Sequence, residues 1–302
     1  MLQKFNEANR DILININGAL LARDEAGISP FDSAVQGGDA VWEGLRVYQG
    51  RIFKLTEHLD RLHASAQALS FDEIPSHEEM TTQIRRTLAA NAMTDAVHIR
   101  LTLTRGVKIT SGMDPRLNQS GPTLIVLAEH KDPVYEKTGL RLVTSSFRRC
   151  RADMLDPRIH HANLLNSILA KIEANLAGVD DAVMLDDCGF VAETNATHLF
   201  LVHDDTVRTS HVRACPDGIT RATVLGICEA HQISSEVRDL ELDDFYQADE
   251  VFCTGTMGEL AAVVEIDGRS IGSGACPGAG SMVARISHAY SELTSREGCS
   301  VV

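Results

Sequence analysis

Several groups of residues in this chain have types and spacings that could do chemistry. The first is Asp217-Gly218-Ile219-Thr220-Arg221, directly ahead of an amphipathic stretch. Gly218 lets the chain approach a ligand closely. The backbone N–H groups of a helix start, with the Thr220 hydroxyl, make an anion cup, and the same pattern also serves as a plain helix cap. The second is Cys253-Thr254-Gly255-Thr256-Met257-Gly258, which follows an apolar run. Such a Gly/Thr-rich turn either nests an anion or satisfies itself with its own hydroxyls. Two of these in one chain strengthen the case for a phosphate-bearing ligand, with the plain cap and turn readings still open. The cations come next. Arg61 follows His58 by one helical turn. Arg100 lies in Val97-His98-Ile99-Arg100-Leu101-Thr102-Leu103, where the odd positions are apolar. His98, Arg100, Thr102 and Thr104 therefore share the opposite face. An arginine there is either exposed at a sheet edge or lines a cavity, where it suits a carboxylate. Glu193 closes a short strand ahead of Thr194-Asn195-Ala196-Thr197, and is a loop charge unless a cation partners it. His160-His161 are either plain polar residues at a strand end or groups able to move protons near neutral pH.

The elements that must position these residues alternate without internal repeats. Ile12 to Ile16 reads as a strand, and Val41 to Leu55 as a hairpin turning at Gln49-Gly50. Thr56 is placed to cap a helix to Leu69, with Leu59, Leu62, Ala66 and Leu69 on one face. Ser76 and Glu79 form a capping-box signature for a helix to about Asn91. Val97 to Thr104 and Thr123 to Ala128 are β-rich. Residues 131–139 are charged and carry Pro133 and Gly139, as expected of an interdomain linker. Beyond them come a strand from Leu140, a helix from Leu164 stopped by Gly178, and short strands around 182–185, 190–193 and 199–202. Then follow a helix 220–231, strands 250–254 and 260–266, and a closing helix 280–293. Few clean βαβ units appear, so the expected class is α+β with two domains, 1–130 and 140–302.

Composition bounds the function. The chain has 302 residues and a net charge of −14. That balance argues against nucleic acid and anionic membranes as partners, while local arginines still permit an anionic substrate. The seven cysteines are odd in number, widely spaced and free of Cys-x-x-Cys, which implies reduced thiols in a cytoplasmic protein and neither a disulfide framework nor a metal site. The N-terminus lacks the apolar core of a signal peptide, and no apolar run approaches the roughly 20 residues that span a bilayer.

Taken in order, the motifs resemble the class IV, fold-type IV, pyridoxal-phosphate (PLP) aminotransferases, and among them the branched-chain enzymes. The resemblance rests on Phe31 to Arg46, Glu57-His58-Leu59-Asp60-Arg61-Leu62, Ile99-Arg100 with Thr104-Arg105-Gly106, and Leu169-Ala170-Lys171-Ile172-Glu173-Ala174. It extends through Gly189 to Glu193, Gly218 to Arg221, and Ala248 to Phe252 with Gly255-Thr256. It implies a homodimer with its site between the domains, acting on amino acids and 2-oxo acids. It also implies that Arg61, the Ile219 and Thr220 amides, and Thr256 hold the cofactor phosphate. Glu193 would keep the pyridine nitrogen protonated. Arg100 would sit near the substrate carboxylate, with His98 where many relatives have tyrosine. The D-amino-acid enzymes place an arginine and a histidine in the loop matching Val107 to Gly112; this chain has no arginine there.

One position departs from the family. The lysine that carries the cofactor covalently, and then moves the substrate proton, is expected at 160, or at 159 with one residue of slack. The chain has His160. Histidine forms no stable imine but can act as a base. Lys171 lies eleven residues on, three turns along a helix, and is a poor replacement. The implied possibilities are lysine-free chemistry with PLP or its amine form (PMP) held non-covalently, a cofactor-binding pseudoenzyme, an aminodeoxychorismate-lyase-type enzyme, or an ordinary aminotransferase altered at 160.

Overall fold

A computed structural model describes residues 3–135, 138–272 and 281–301. Part of the expected linker (136–137), Cys276 and the expected helix start at Gly280 lie outside them. The chain divides into two compact units. The first comprises residues through Asp132, joined by Ile159–Asn163 and the tail from Thr294. The second comprises Pro133–Arg158 and Leu164–Leu293. Two stretches that the sequence reading places in 140–302, namely 159–163 and the tail, therefore cluster with the first unit.

The first unit is built on β1 (Leu13–Ile16), β2 (Ala19–Ala22), α1 (Ser33–Gly37), β3 (Ala40–Tyr48), β4 (Arg51–Ile52), α2 (Leu55–Ala68), α3 (His77–Ala90), β5 (Val97–Thr104) and β6 (Thr123–His130). The β3–β4 hairpin turns at Gln49 and Gly50, both at positive φ (46° and 78°), as a two-residue hairpin turn requires. Its second arm is only two residues long, because the chain enters α2 at Leu55. The N-cap of α2 is Lys54, in the left-handed region with no side-chain cap bond, and not Thr56, which lies inside the first turn. Ser76 does cap α3, in a reciprocal bond with Glu79, an arrangement that stabilises a helix by about 1 kcal/mol. Leu45, Val47, Leu59, Leu62, Ile84, Ile99 and Leu101 form the fully buried heart of the core.

The second unit holds β7 (Leu140–Thr144), α4 (Leu165–Ala177), β8 (Asp181–Leu185), β9 (Val191–Thr194), β10 (His198–His203) and β11 (Thr206–Thr209). It continues through α5 (Ile219–Ala230), β12 (Ser235–Val237), α6 (Leu242–Tyr246), β13 (Glu250–Gly255), β14 (Glu259–Ile266), β15 (Arg269–Ser270) and α7 (Met282–Arg296), and β16 (Cys299–Ser300) closes the chain in the first unit. Gly178 ends α4 at φ +70°. The first sheet runs β16-β4-β3-β5-β6-β1-β2, and the second β12-β11-β10-β13-β14-β7-β8-β9 with β15 beside β14. Among the described strands only β11–β12, β14–β7 and β7–β8 pair in parallel, so the class is α+β.

Candidate functional site

In the first unit, chemistry gathers on β3. Strand alternation puts Glu43 on the same face as Val41, Leu45 and Val47, which is the core face packed by α2. A carboxylate in that position is costly unless every oxygen is bonded. Glu43 is fully buried, and its oxygens are met from two directions. From α2, Arg61 donates Nε to Oε1 and Nη2 to Oε2, each at 2.7 Å, and His58 Nδ1 lies 2.6 Å from Oε2. From residue 160, His160 Nδ1 lies 3.2 Å from Oε1. Burial works to raise the Glu43 carboxyl. The interactions with His160 and Arg61 outweigh it and hold the group well below the usual carboxylate range.

His160 reaches Glu43 because residues 159–163 lie along β3, on the edge opposite β5. The Trp42 N–H donates to the His160 carbonyl at 3.1 Å, and the Ala162 N–H to the Ala40 carbonyl at 2.7 Å. The His160 N–H donates to Ser65 Oγ at 3.1 Å. The Trp42 ring stacks on His160 with centroids 4.4 Å apart. Arg100 lies 3.5 Å over the same Trp42 ring, a cation–π contact. Burial lowers His160 below the ordinary histidine value against the pull of Glu43, so its ring is neutral at pH 7.

The polar face of β5 runs beside this cluster. β5 lies inside the sheet, between β3 and β6, so Arg100 is not an edge residue. It is half-buried against Trp42, and burial lowers its guanidinium to about 10, with Glu43 pulling the other way. His98 is buried, and its Nε2 has no hydrogen-bond partner among the described residues. That nitrogen sits over Gly44, where an added Cβ would meet it at 3.2 Å. Burial first, and then Lys131, Arg46 and Arg100, drive His98 down to about 3. Thus Arg61, Arg100, His98 and His160 all belong to one unit and three of them meet at Trp42 and Glu43.

The second unit brings together the other expected residues. Glu193 is in β9 and buried, and it is no loop charge: Arg149 Nη2 lies 3.1 Å from its Oε1. Arg149 is itself oriented by the Ala214 carbonyl at 3.1 Å and Ser167 Oγ at 3.0 Å. Ile219 and Thr220 open α5, whose N-cap Gly218 offers no side-chain cap bond. Gly218 has a packing reason to lack a side chain, since a Cβ there would lie 2.3 Å from the His198 ring. His198 pairs across the sheet with Thr254, and α5 packs on β13. Thr256 follows the end of β13, and the Thr254 hydroxyl is buried without a partner among the described residues. Glu193, His198 and Cys215 place their polar atoms within 4.8 Å of one another. Arg149 already balances Glu193, and burial followed by Glu193 pushes the Cys215 thiol up, so this trio suits hydrogen bonding better than a cation. Lys171 Nζ is spent on Asp181, 2.9 Å away, and on the Asp180 carbonyl.

Glu43, Trp42 and Arg149 were not picked out from the sequence as site residues. The signal for Glu43 was present: a carboxylate in phase with Val41, Leu45 and Val47.

Residues 40–266 match the family model "Amino-transferase class IV". Over 291 residues the chain is 53% identical to branched-chain-amino-acid aminotransferase-like protein 2 of Arabidopsis thaliana, covering 96% of this chain and 52% of that protein. The chain thus spans about half the length of that relative. A putative branched-chain-amino-acid aminotransferase of Methanocaldococcus jannaschii is 42% identical over 259 residues, 85% of this chain and 89% of its own. Among solved structures, a branched-chain amino acid aminotransferase of T.th. complexed with N-(5'-phosphopyridoxyl)-L-glutamate superposes with a TM-score of 0.87 at 33% identity, covering 94% of each chain. No helix among the described residues is long and apolar enough to cross a membrane.

Proposed function

Because the chain belongs to the class IV aminotransferase family and has the fold-type IV architecture, we propose that it holds PLP or PMP non-covalently and acts on amino acids and 2-oxo acids, branched-chain ones foremost. The observation that carries this reading is His160. It stands where the family lysine is expected, bonded to the buried carboxylate of Glu43. A similar structure contains phosphopyridoxyl-glutamate, a cofactor joined to an amino acid.

The residues present fit such a cofactor at two of its ends. The start of α5 without a side-chain cap and the buried, partnerless Thr254 hydroxyl suit a phosphate. Ile219, Thr220 and Thr256 would hold it there; for Arg61 the phosphate role rests on the family resemblance alone, since its Nε and Nη2 are bonded to Glu43. Glu193 suits a protonated ring nitrogen, with Arg149 Nη2 3.1 Å from its Oε1. The covalent end does not fit, because residue 160 is a histidine and Lys171 is bonded elsewhere. When bound, the cofactor supplies an electron sink for the substrate Cα. Arg100 takes the substrate carboxylate, His98 lies beside it, and neutral His160 accepts the Cα proton.

The missing lysine favours a second reading, a cofactor-binding protein that transfers no amino group. A lyase acting on an aminated ring acid would use the same fold. A homodimer is the proposed assembly. Leu165, Ile168, Leu169, Ile172 and Leu176 leave an apolar stripe exposed on α4, as an interface would.

Amino transfer from a branched-chain amino acid to 2-oxoglutarate tests the function. The expected result is slow transfer by the wild type that falls at least tenfold in His160→Ala. His160→Lys should give faster transfer and a borohydride-reducible link to the cofactor. Transfer by His160→Lys alone would leave the binding-protein reading standing. A folded, cofactor-binding His160→Lys variant with no covalent link would reject the assignment of position 160.

A further inference from the structure

We propose that Glu43 is a positioning residue that fixes the tautomer of His160, holding its ring hydrogen on Nδ1 and leaving Nε2 as the basic nitrogen. The inference rests on the reading of His160 as the proton-moving group. An ionised carboxylate only accepts hydrogen bonds, at about four lone-pair positions. At Glu43 these are met by Arg61 Nε and His160 Nδ1 on Oε1, and by Arg61 Nη2 and His58 Nδ1 on Oε2. Every atom facing the carboxylate must therefore be a donor. A neutral imidazole has one donor and one acceptor nitrogen, so a hydrogen on Nδ1 puts the lone pair on Nε2. The same logic puts a hydrogen on His58 Nδ1.

The rest of the ring's freedom is removed locally. The bond from its N–H to Ser65 Oγ at 3.1 Å and the bond to its carbonyl from Trp42 at 3.1 Å fix the backbone. Stacking on Trp42, at an interplanar angle of 27°, fixes the plane. The plane comes from Trp42, while the position of the hydrogen comes from Glu43. A lysine would need no such control, since its amine presents the same proton chemistry in every rotamer. A histidine base needs the correct nitrogen facing its substrate.

The test is nitrogen NMR on the cofactor-free protein labelled at histidine, with the His160 signal assigned by its loss in His160→Gln. At pH 7 the wild type should show His160 neutral with hydrogen on Nδ1. An Nε2–H tautomer, or a doubly protonated ring, would overturn the proposal. In Glu43→Gln the side chain offers one oxygen and one amide. The tautomer ratio should move at least tenfold toward Nε2–H, and His160 should titrate at lower pH because the neighbouring charge is gone. An unchanged ratio and titration in folded Glu43→Gln would also overturn it. If that variant does not fold, the wild-type spectrum decides the matter alone. The readouts separate this idea from the function it rests on. Amino transfer by a protein with the Nε2–H tautomer removes the role of Glu43 and leaves the function. The Nδ1–H tautomer without amino transfer does the reverse.

Discussion

Two buried carboxylates, one in each unit, are held in different ways. Glu43 is a knot of side chains: β3, α2 and the strand-like segment at 160 all converge on it, and its bond to His160 spans 117 residues. Glu193 rests on Arg149, and its neighbours Gly218-Ile219-Thr220 and Thr254-Gly255-Thr256 are backbone-rich local motifs. The difference teaches that the candidate groups of the second unit sit on local backbone turns, whereas the first assembles a charge network only once its sheet and helix have packed. Glu43 should therefore matter to folding, and Glu193 to ligand binding.

The strongest way to break this comparison is Glu43→Ala. It would leave half-buried Arg61 and buried His58 beside no carboxylate, and breaking a buried ion pair costs about 3–5 kcal/mol. Urea unfolding should show that loss, and a loss under about 1 kcal/mol, the scale of a surface ion pair, would mean the network is not needed for the fold. Glu193→Gln is expected to cost only about 1–2 kcal/mol, the scale of one weakened charged hydrogen bond. It should, however, reduce cofactor affinity at least tenfold in a spectroscopic titration. Equal stability losses in the two variants would erase the contrast.

Acid sharpens the comparison further, because two histidines held below their ordinary value, His98 and His160, lie in the first unit. Folded His98 takes a proton only near pH 3, against 6.5 for an unfolded histidine, and His160 is lowered in the same sense. Between those values the unfolded chain binds the proton and the folded chain does not, so stability falls as pH drops below 6.5. For His98 the slope is about 1.4 kcal/mol per pH unit between those values. Glu43 adds to the loss below its ordinary value of 4.5, since the folded state keeps it ionised. Denaturation midpoints at pH 7.5, 6 and 5 should decline, and His98→Phe should flatten the decline. A midpoint that does not change with pH would contradict the burial of these rings as neutral groups.

The two sites also differed in how far they could be read from the sequence. The capping box at Ser76, β5 over its full length, the stop at Gly178 and the start of α5 follow from local rules, and the structure has each of them within a residue or so. The Gly/Thr-rich segments at 217–221 and 253–258 are equally local, at the start of α5 and the end of β13. The hairpin at Gln49-Gly50 was legible too, but Thr56 was not the cap of α2, because the left-handed Lys54 starts that helix earlier. Glu43 was legible only as a charge out of place on an apolar face. What answered it, His58, Arg61 and His160, depends on α2 crossing β3 and on a segment more than a hundred residues later lying along the same strand. No local pattern encodes that. Gly218 shows a further limit. A glycine suited to a close ligand approach is also required by the His198 ring, and only the packing reveals it.

The central claim is that the cofactor is held without a covalent bond. The most direct test is intact-protein mass spectrometry after PLP is added and the sample is treated with borohydride. The expected result is a visible chromophore that washes out and leaves the unmodified mass, while His160→Lys gains one phosphopyridoxyl group. A stoichiometric adduct on a lysine of the wild-type chain would contradict the claim, and would restore ordinary lysine-based chemistry to this fold.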